Sequence, residues 1–203
     1  MPIRAVLFDY GNVLVRWDPR HLYRKIFADE AEMERFLSEV VTMDWHVQND
    51  AGALMADTLP PLIAKHPHYE TQIRAWDTRY TETISEEIAE SVALLDRLAV
   101  NGVTLGMITN MPSDQQDACL RHCSRLSLFG TIVVSGVEKI SKPDARIYHM
   151  ALDRLGGVRP EEALFIDDSA KNVAGAVAAG LKAHHFTTPR KLAEALAAEG
   201  VLG

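Results

Sequence analysis

Apolar residues open the chain as the run "AVLF", which stops at Asp9, breaks over Tyr10, Gly11 and Asn12, and resumes at residues 13–15. A short continuous apolar run closed by turn residues predicts a strand buried on both faces. The pattern then changes. Residues 19–84 carry apolar positions at helical spacing in "HLYRKIF", "EMERFLSEVV" and "YETQIRAWDTRYTETI". The last of these aligns Tyr69, Ile73, Trp76, Tyr80 and Ile84 on one stripe. No alternating strand interrupts this segment, and the prolines of "TLPPLIAKHPHYE" are read as breaks between helices.

From residue 85 onward short apolar strands alternate with amphipathic helices. "SEEIAESVALLDRLAVNG" predicts a helix capped by Ser85 and closed by Gly102. "VTLGMIT", "TIVVSG", "ALFIDD" and "KAHHF" read as strands. "DQQDACLRHCSRL", "DARIYHMALDRLGG", "AKNVAGAVAAG" and "PRKLAEALAAEG" read as helices, the third small enough to pack closely on a sheet. This alternation predicts an α/β fold with a doubly wound parallel sheet, and the helical stretch is an insertion after the first strand.

A length of 203 residues with 47% hydrophobic and 24% charged residues describes one packed domain, or a core with a modest insertion. The formal charge of −7 argues against nucleic acid as a partner. No apolar run spans a bilayer and the N-terminus lacks a signal-peptide layout, so the expected location is cytoplasmic with no membrane partner. Cys119 and Cys123 lie four apart without a metal-site partner cluster, which reads as two reduced thiols near a core. His184 and His185, adjacent on a strand, point to opposite faces and make a poor joint site.

Open parallel sheets bind ligands beyond the carboxyl ends of their strands. Three predicted strands end in polar groups: Asp9, Thr109 with Asn110, and Asp167 with Asp168. Lys142 precedes a helix, with Pro143 expected in its first turn. On one sheet edge these groups crowd three carboxylates around one ammonium. Repulsion among the carboxylates raises their pKa values, and a hard divalent cation such as Mg²⁺ relieves it through oxygen ligands. Asp9 then acts either as a nucleophile toward phosphorus or as a ligand while water attacks.

"FDYGNVLV", "MITN", "SKPDARIY" and "FIDDSAKN" occur in this order, and the chain thereby resembles the haloacid dehalogenase superfamily of phosphatases and related hydrolases. The resemblance implies a Rossmann-like core over residues 1–16 and 85–203 and a helical cap over residues 17–84. It implies Asp9 as nucleophile, Thr109, Asn110, Gly11 and Asn12 at the phosphate, and Lys142 steadying nucleophile and phosphate. It further implies Mg²⁺ on Asp9, Asp167, Asp168 and the main-chain carbonyl of Gly11, with Asn172 orienting the lysine. The implied substrate is a small phosphorylated metabolite, with sugar phosphates as the favoured class.

The family's phosphatases usually carry an acid/base aspartate two residues after the nucleophile, where this chain has Gly11. Proton donation typically contributes ~10²–10⁴-fold. The branch with an Asp-x-Gly-Asn-Val opening, resembling sugar-1-phosphate phosphatases, shares the glycine. The metal-free 2-haloacid dehalogenases, in which the aspartate attacks carbon, also lack that second aspartate, but their loop resembles Ser-Ser-Asn instead of Asp-Asp. A non-catalytic binding or regulatory protein is a third reading. In the insertion, Arg16, Trp17, Trp45 and His46 are candidates to face the substrate.

Overall fold

The computed structural model describes residues 1–202. Strand β1 (Ala5–Phe8) is buried at every position and lies at the centre of a five-stranded parallel sheet. After it come β2 (Val15–Trp17) and helices α1 (Pro19–Tyr23), α2 (Glu30–Glu39), α3 (Met43–Asp50), α4 (Met55–Lys65) and α5 (Glu70–Thr78). The remainder alternates: β3 (Ile84–Glu87), α6 (Ala89–Val100), β4 (Thr104–Thr109), α7 (Gln116–Leu120), β5 (Thr131–Val134), α8 (Ser135–Glu138) and α9 (Ala145–Arg154). It closes with β6 (Ala163–Asp167), α10 (Ala170–Ala178), β7 (Lys182–His185) and α11 (Pro189–Ala198).

The sheet order is β5-β4-β1-β6-β7, with every pairing parallel. The chain winds outward from β1 through β4 to β5, then returns to the other side of β1 for β6 and β7. This is the α/β, Rossmann-like doubly wound arrangement, and its order reverses between β1 and β6. Alternate residues of the central strands face opposite layers. Val6, Phe8, Met107 and Ile166 pack with Leu95, Leu98, Leu192 and Leu196 of α6 and α11. Leu7, Ile108, Val133 and Phe165 pack with Ile147, Tyr148 and Leu152 of α9.

Several local expectations are corrected. Ser85 does not cap a helix: residues 84–87 pair antiparallel with residues 15–17, and α6 begins at Ala89. A tertiary strand partner outweighs the local capping signal there. This two-stranded ribbon, absent from the sequence reading, joins the way into and out of the helical segment. Pro60 and Pro61 lie inside α4 and do not divide helices. They sit on its exposed side, and the carbonyls they leave unpaired belong to exposed Ala56 and Asp57. The Tyr69–Ile84 stripe is buried or half-buried, but it runs through α5, a 3₁₀ turn and β3 instead of one helix. The helix expected over residues 114–126 shortens to α7 with flanking 3₁₀ turns. Pro143 lies outside α9, immediately before its N-cap Asp144. Among the described residues no helix is long and apolar enough to cross a membrane.

Small residues bring α10 against the loop that carries Lys142. A Cβ on Gly175 would lie 2.7 Å from the carbonyl oxygen of Pro143. Gly175→Ala is therefore expected to destabilise the protein by about 1–3 kcal/mol in urea unfolding. A change below about 0.5 kcal/mol would contradict this close approach.

Candidate active site

Asp9 follows β1 directly, and its N–H donates to the Ile166 carbonyl at 2.8 Å, which extends the β1–β6 pairing by one step. The side chain emerges at the reversal point of the sheet. Oδ1 of Asp9 accepts the Tyr10 N–H at 2.7 Å and meets the Lys142 ammonium at 2.8 Å. Both donors use the same oxygen, so Oδ2 is left facing the cleft chemistry.

Lys142 is buried. Its Nζ contacts Asp167 Oδ2 at 2.7 Å and donates to the Ile108 carbonyl at 3.0 Å. Burial pulls the ammonium toward neutrality, but Asp9 and Asp167 outweigh it, and the pKa is raised. The loop is held by Asn110. Its Oδ1 accepts the Lys142 N–H at 2.9 Å and its Nδ2 donates to the Lys142 carbonyl at 3.2 Å. The amide side chain expected at the phosphate thus clamps the lysine backbone.

Asp167 ends β6 and is fully buried. Its Oδ1 accepts the Ser169 N–H at 2.8 Å, and Asn172 Nδ2 lies 3.1 Å from both of its oxygens. Asn172, expected to orient the lysine, bonds Asp167, the carboxylate paired with Lys142. Asp168 is half-buried, and its carbonyl contacts a ring nitrogen of His185 at 2.9 Å. Its carboxyl is pushed up by burial and by Asp167. Asp9 is likewise raised, first by burial, against the pull of Lys142 and with Asp167 and Asp168 adding to it. Asp9, Asp167 and Asp168 each offer an oxygen within 4.8 Å of one another. An all-oxygen acidic cluster in which the Asp9 and Asp168 carboxyls are raised fits a hard divalent cation.

Asp9, Lys142, Asp168 and Asn172 line a cleft of about 180 Å³ together with Gly11, Asn12, Thr109 and Asn110, while the buried Asp167 does not line it. Asn12 has φ 56° and accepts the Trp17 N–H at 3.1 Å, which folds the turn after Asp9 back on itself. Gly11 has no positive φ, and a Cβ there would sit 3.7 Å from Trp17 Cβ, an ordinary contact.

The four candidates from the insertion divide evenly. Trp17 and His46 line the cleft, with their rings stacked at 5.7 Å. Arg16 is turned outward to Glu86 at 3.2 Å, and Trp45 packs edge-on against Trp76 while donating to the Thr58 carbonyl. Neither reaches the cleft. Among the lining residues that escaped the sequence reading are Asp50 and Tyr80. Asp50 lies four residues after His46 on α3, a spacing that places both on one helix face. Tyr80 had been absorbed into the apolar stripe. Cys119 and Cys123 are free and buried, and burial pushes the Cys119 thiol up to about 12, away from reactivity.

A family model for haloacid dehalogenase-like hydrolases matches residues 3–180. The chain is 26% identical over 184 residues to a sesquiterpene phosphatase of Aspergillus oryzae, covering 91% of this chain and 90% of that protein. It is 29% identical over 203 residues to a phosphoglycolate phosphatase of Yersinia pseudotuberculosis, covering 96% and 85%. In fold it is similar to a crystal structure of a HAD-family enzyme from Bacteroides thetaiotaomicron in complex with magnesium and inorganic phosphate. That match has a TM-score of 0.69 and 19% identity, and covers 91% of this chain and 94% of that one.

Burial raises the Asp50 carboxyl from 3.8 to about 7, against the pull of Lys142. A carboxyl with a raised folded pKa stabilises fully below its unfolded pKa, and this contribution is lost as pH rises through about 7. Asp50→Asn removes the titration. The variant is expected to gain on the order of 2 kcal/mol relative to wild type between about pH 5 and pH 8 in urea unfolding. A stability difference equal at both pH values would contradict it.

Proposed function

The chain belongs to the haloacid dehalogenase-like hydrolase family, and from that premise we propose that it hydrolyses phosphate monoesters of small metabolites through a phosphoryl group carried on Asp9. The observation that carries this reading is the adjacent pair Asp167–Asp168 gathered with Asp9, where the Lys142 ammonium pairs with only two of the three acids, Asp9 and Asp167. Three carboxylates around one cationic side chain favour a bound divalent ion. Attack on a carbon, as in dehalogenation, needs no such ion, so the acidic pair supports phosphoryl chemistry over it.

Asp9 and Asp168 are the acids best placed to hold Mg²⁺, with Asp167 and the Gly11 carbonyl completing the set that the family resemblance implies. When bound, Mg²⁺ supplies charge that lets a phosphate dianion approach a carboxylate. The protein's own groups do the rest. Lys142 and Tyr10 N–H occupy Asp9 Oδ1 and aim Oδ2 at phosphorus. The Thr109 hydroxyl is a donor for a phosphate oxygen. Asp9 Oδ2 forms a bond to phosphorus as the ester P–O bond breaks, and water then displaces phosphate from Asp9. The helical segment of residues 17–84 acts as a cap over the core of residues 1–16 and 85–203. It narrows the cleft with Trp17 and His46 and limits water entry. The cleft's size suits small esters, and sugar phosphates are the favoured class.

Purified protein is expected to release phosphate from a generic monoester in the presence of Mg²⁺. EDTA should abolish the release, and Asp9→Asn should lower it by ~10³-fold or more. Metal-independent release of halide from 2-chloropropionate, with no phosphatase activity, would replace this reading with the dehalogenase.

A further inference from the structure

The cleft has a second polar wall, which the phosphoryl-transfer groups leave unused. Asp50 and His46 of α3 and Tyr80 line it, and all three are buried. His46 Nε2 lies 3.5 Å from Asp50 Oδ1 and 3.5 Å from the Tyr80 hydroxyl. Trp17 stacks on the His46 ring and Trp76 meets it edge-on at 5.0 Å, which fixes the ring in place. Asp50 is tied to the core through its main-chain carbonyl, which accepts from Ser141 Oγ at 3.2 Å, one residue before Lys142. Gly52 lets α3 come this close: with φ +104°, a Cβ on it would lie 3.1 Å from the Gly136 carbonyl oxygen.

Two atoms of this wall, Asp50 Oδ1 and His46 Nδ1, are buried without a hydrogen-bond partner among the described residues. Such atoms are rare in folded proteins and point to a ligand or a chemical role. The departing ester oxygen also needs a proton. Lys142 is held charged between two carboxylates, Asp167 does not line the cleft, and residues 10–12 include no carboxylic acid.

We propose that Asp50, positioned by His46, is the proton donor to the leaving oxygen. The inference rests on the phosphatase reading above. As Asp9 Oδ2 bonds to phosphorus and the ester P–O bond breaks, the electron pair goes to the leaving oxygen. The Asp50 carboxyl proton joins it there, and Asp50 becomes a carboxylate. In the second step Asp50 takes a proton from the attacking water as the water oxygen bonds to phosphorus and the Asp9–phosphorus bond breaks. Both carboxyl groups return to their starting states. The raised pKa of Asp50, near 7, suits a group that holds a proton in one step and accepts one in the next. Burial lowers His46 to about 4, so it stays neutral beside Asp50.

The test compares esters with good and poor leaving groups, using the full chain with Mg²⁺. Wild type is assayed on a series running from p-nitrophenyl phosphate to alkyl phosphates. A shallow dependence of kcat/KM on leaving-group pKa is expected; a steep one overturns the proposal without any variant. Asp50→Asn should lower kcat/KM for alkyl phosphates by ~10²–10⁴-fold and for p-nitrophenyl phosphate by less than about tenfold. Asp50→Glu should recover part of the alkyl-phosphate turnover. Adding Gly11→Asp to Asp50→Asn, where a side chain has room beside Asp9, should raise it at least about tenfold. Equal losses on both ester classes in a folded Asp50→Asn protein overturn the inference alone. No phosphate from wild type on any ester removes the phosphatase reading, and this inference with it.

Discussion

Everything at the sheet edge depends on one buried ammonium. Lys142 Nζ sits between Asp9 and Asp167, at 2.8 and 2.7 Å. Burying a charge is costly unless it is paired and hydrogen-bonded. The structure meets this by surrounding the group with two carboxylates and a main-chain carbonyl. The pairing fixes Asp9 as well, because it consumes one oxygen of its carboxylate and leaves the other. Much of the nearby architecture serves this pair. Asn110 grips the Lys142 backbone at both its N–H and carbonyl, Asn172 holds Asp167, and glycine on α10 admits the loop after Lys142.

The ammonium does not neutralise all three acids. Asp168 completes the cluster, and its carboxyl and that of Asp9 are held above their ordinary range, mainly by burial, with Asp167 adding to it. That excess of negative charge suits a divalent cation and is what the proposed phosphate chemistry rests on. The helical segment contributes a different kind of surface to the same cleft: an aromatic wall around a buried His–Asp pair. In the proposed reaction the first wall handles phosphorus and the second the departing group.

The sheet and its polar edge were legible in the sequence because they rest on local signals. Apolar runs mark the central strands, and Asp9, Thr109 and Asp167 stand at or just past strand ends, where a parallel sheet gathers them. What was not legible came from tertiary pairing. Ser85 looks like a cap, but β2 claims its backbone for a ribbon. Asn110 stands at the cleft as expected, but its side chain's grip on the Lys142 backbone across the fold left no mark in the sequence. Asp50 carries no local mark of function; only the docking of α3 beside Ser141 and Lys142 brings it to the cleft. Arg16 and Trp45 were indistinguishable from Trp17 and His46 in the sequence, since a helix face or a ribbon edge decides which of them look inward.

The central claim is that Lys142 prepares Asp9 to carry the phosphoryl group. It is tested most directly by quenching the protein with acid during turnover of a phosphate ester, reducing it with borohydride, and mapping the peptides by mass spectrometry. An acyl phosphate at Asp9 would be reduced there to homoserine, and this is the predicted result. Active turnover with the phosphoryl group found on a different residue, and Asp9 unmodified, would contradict the account.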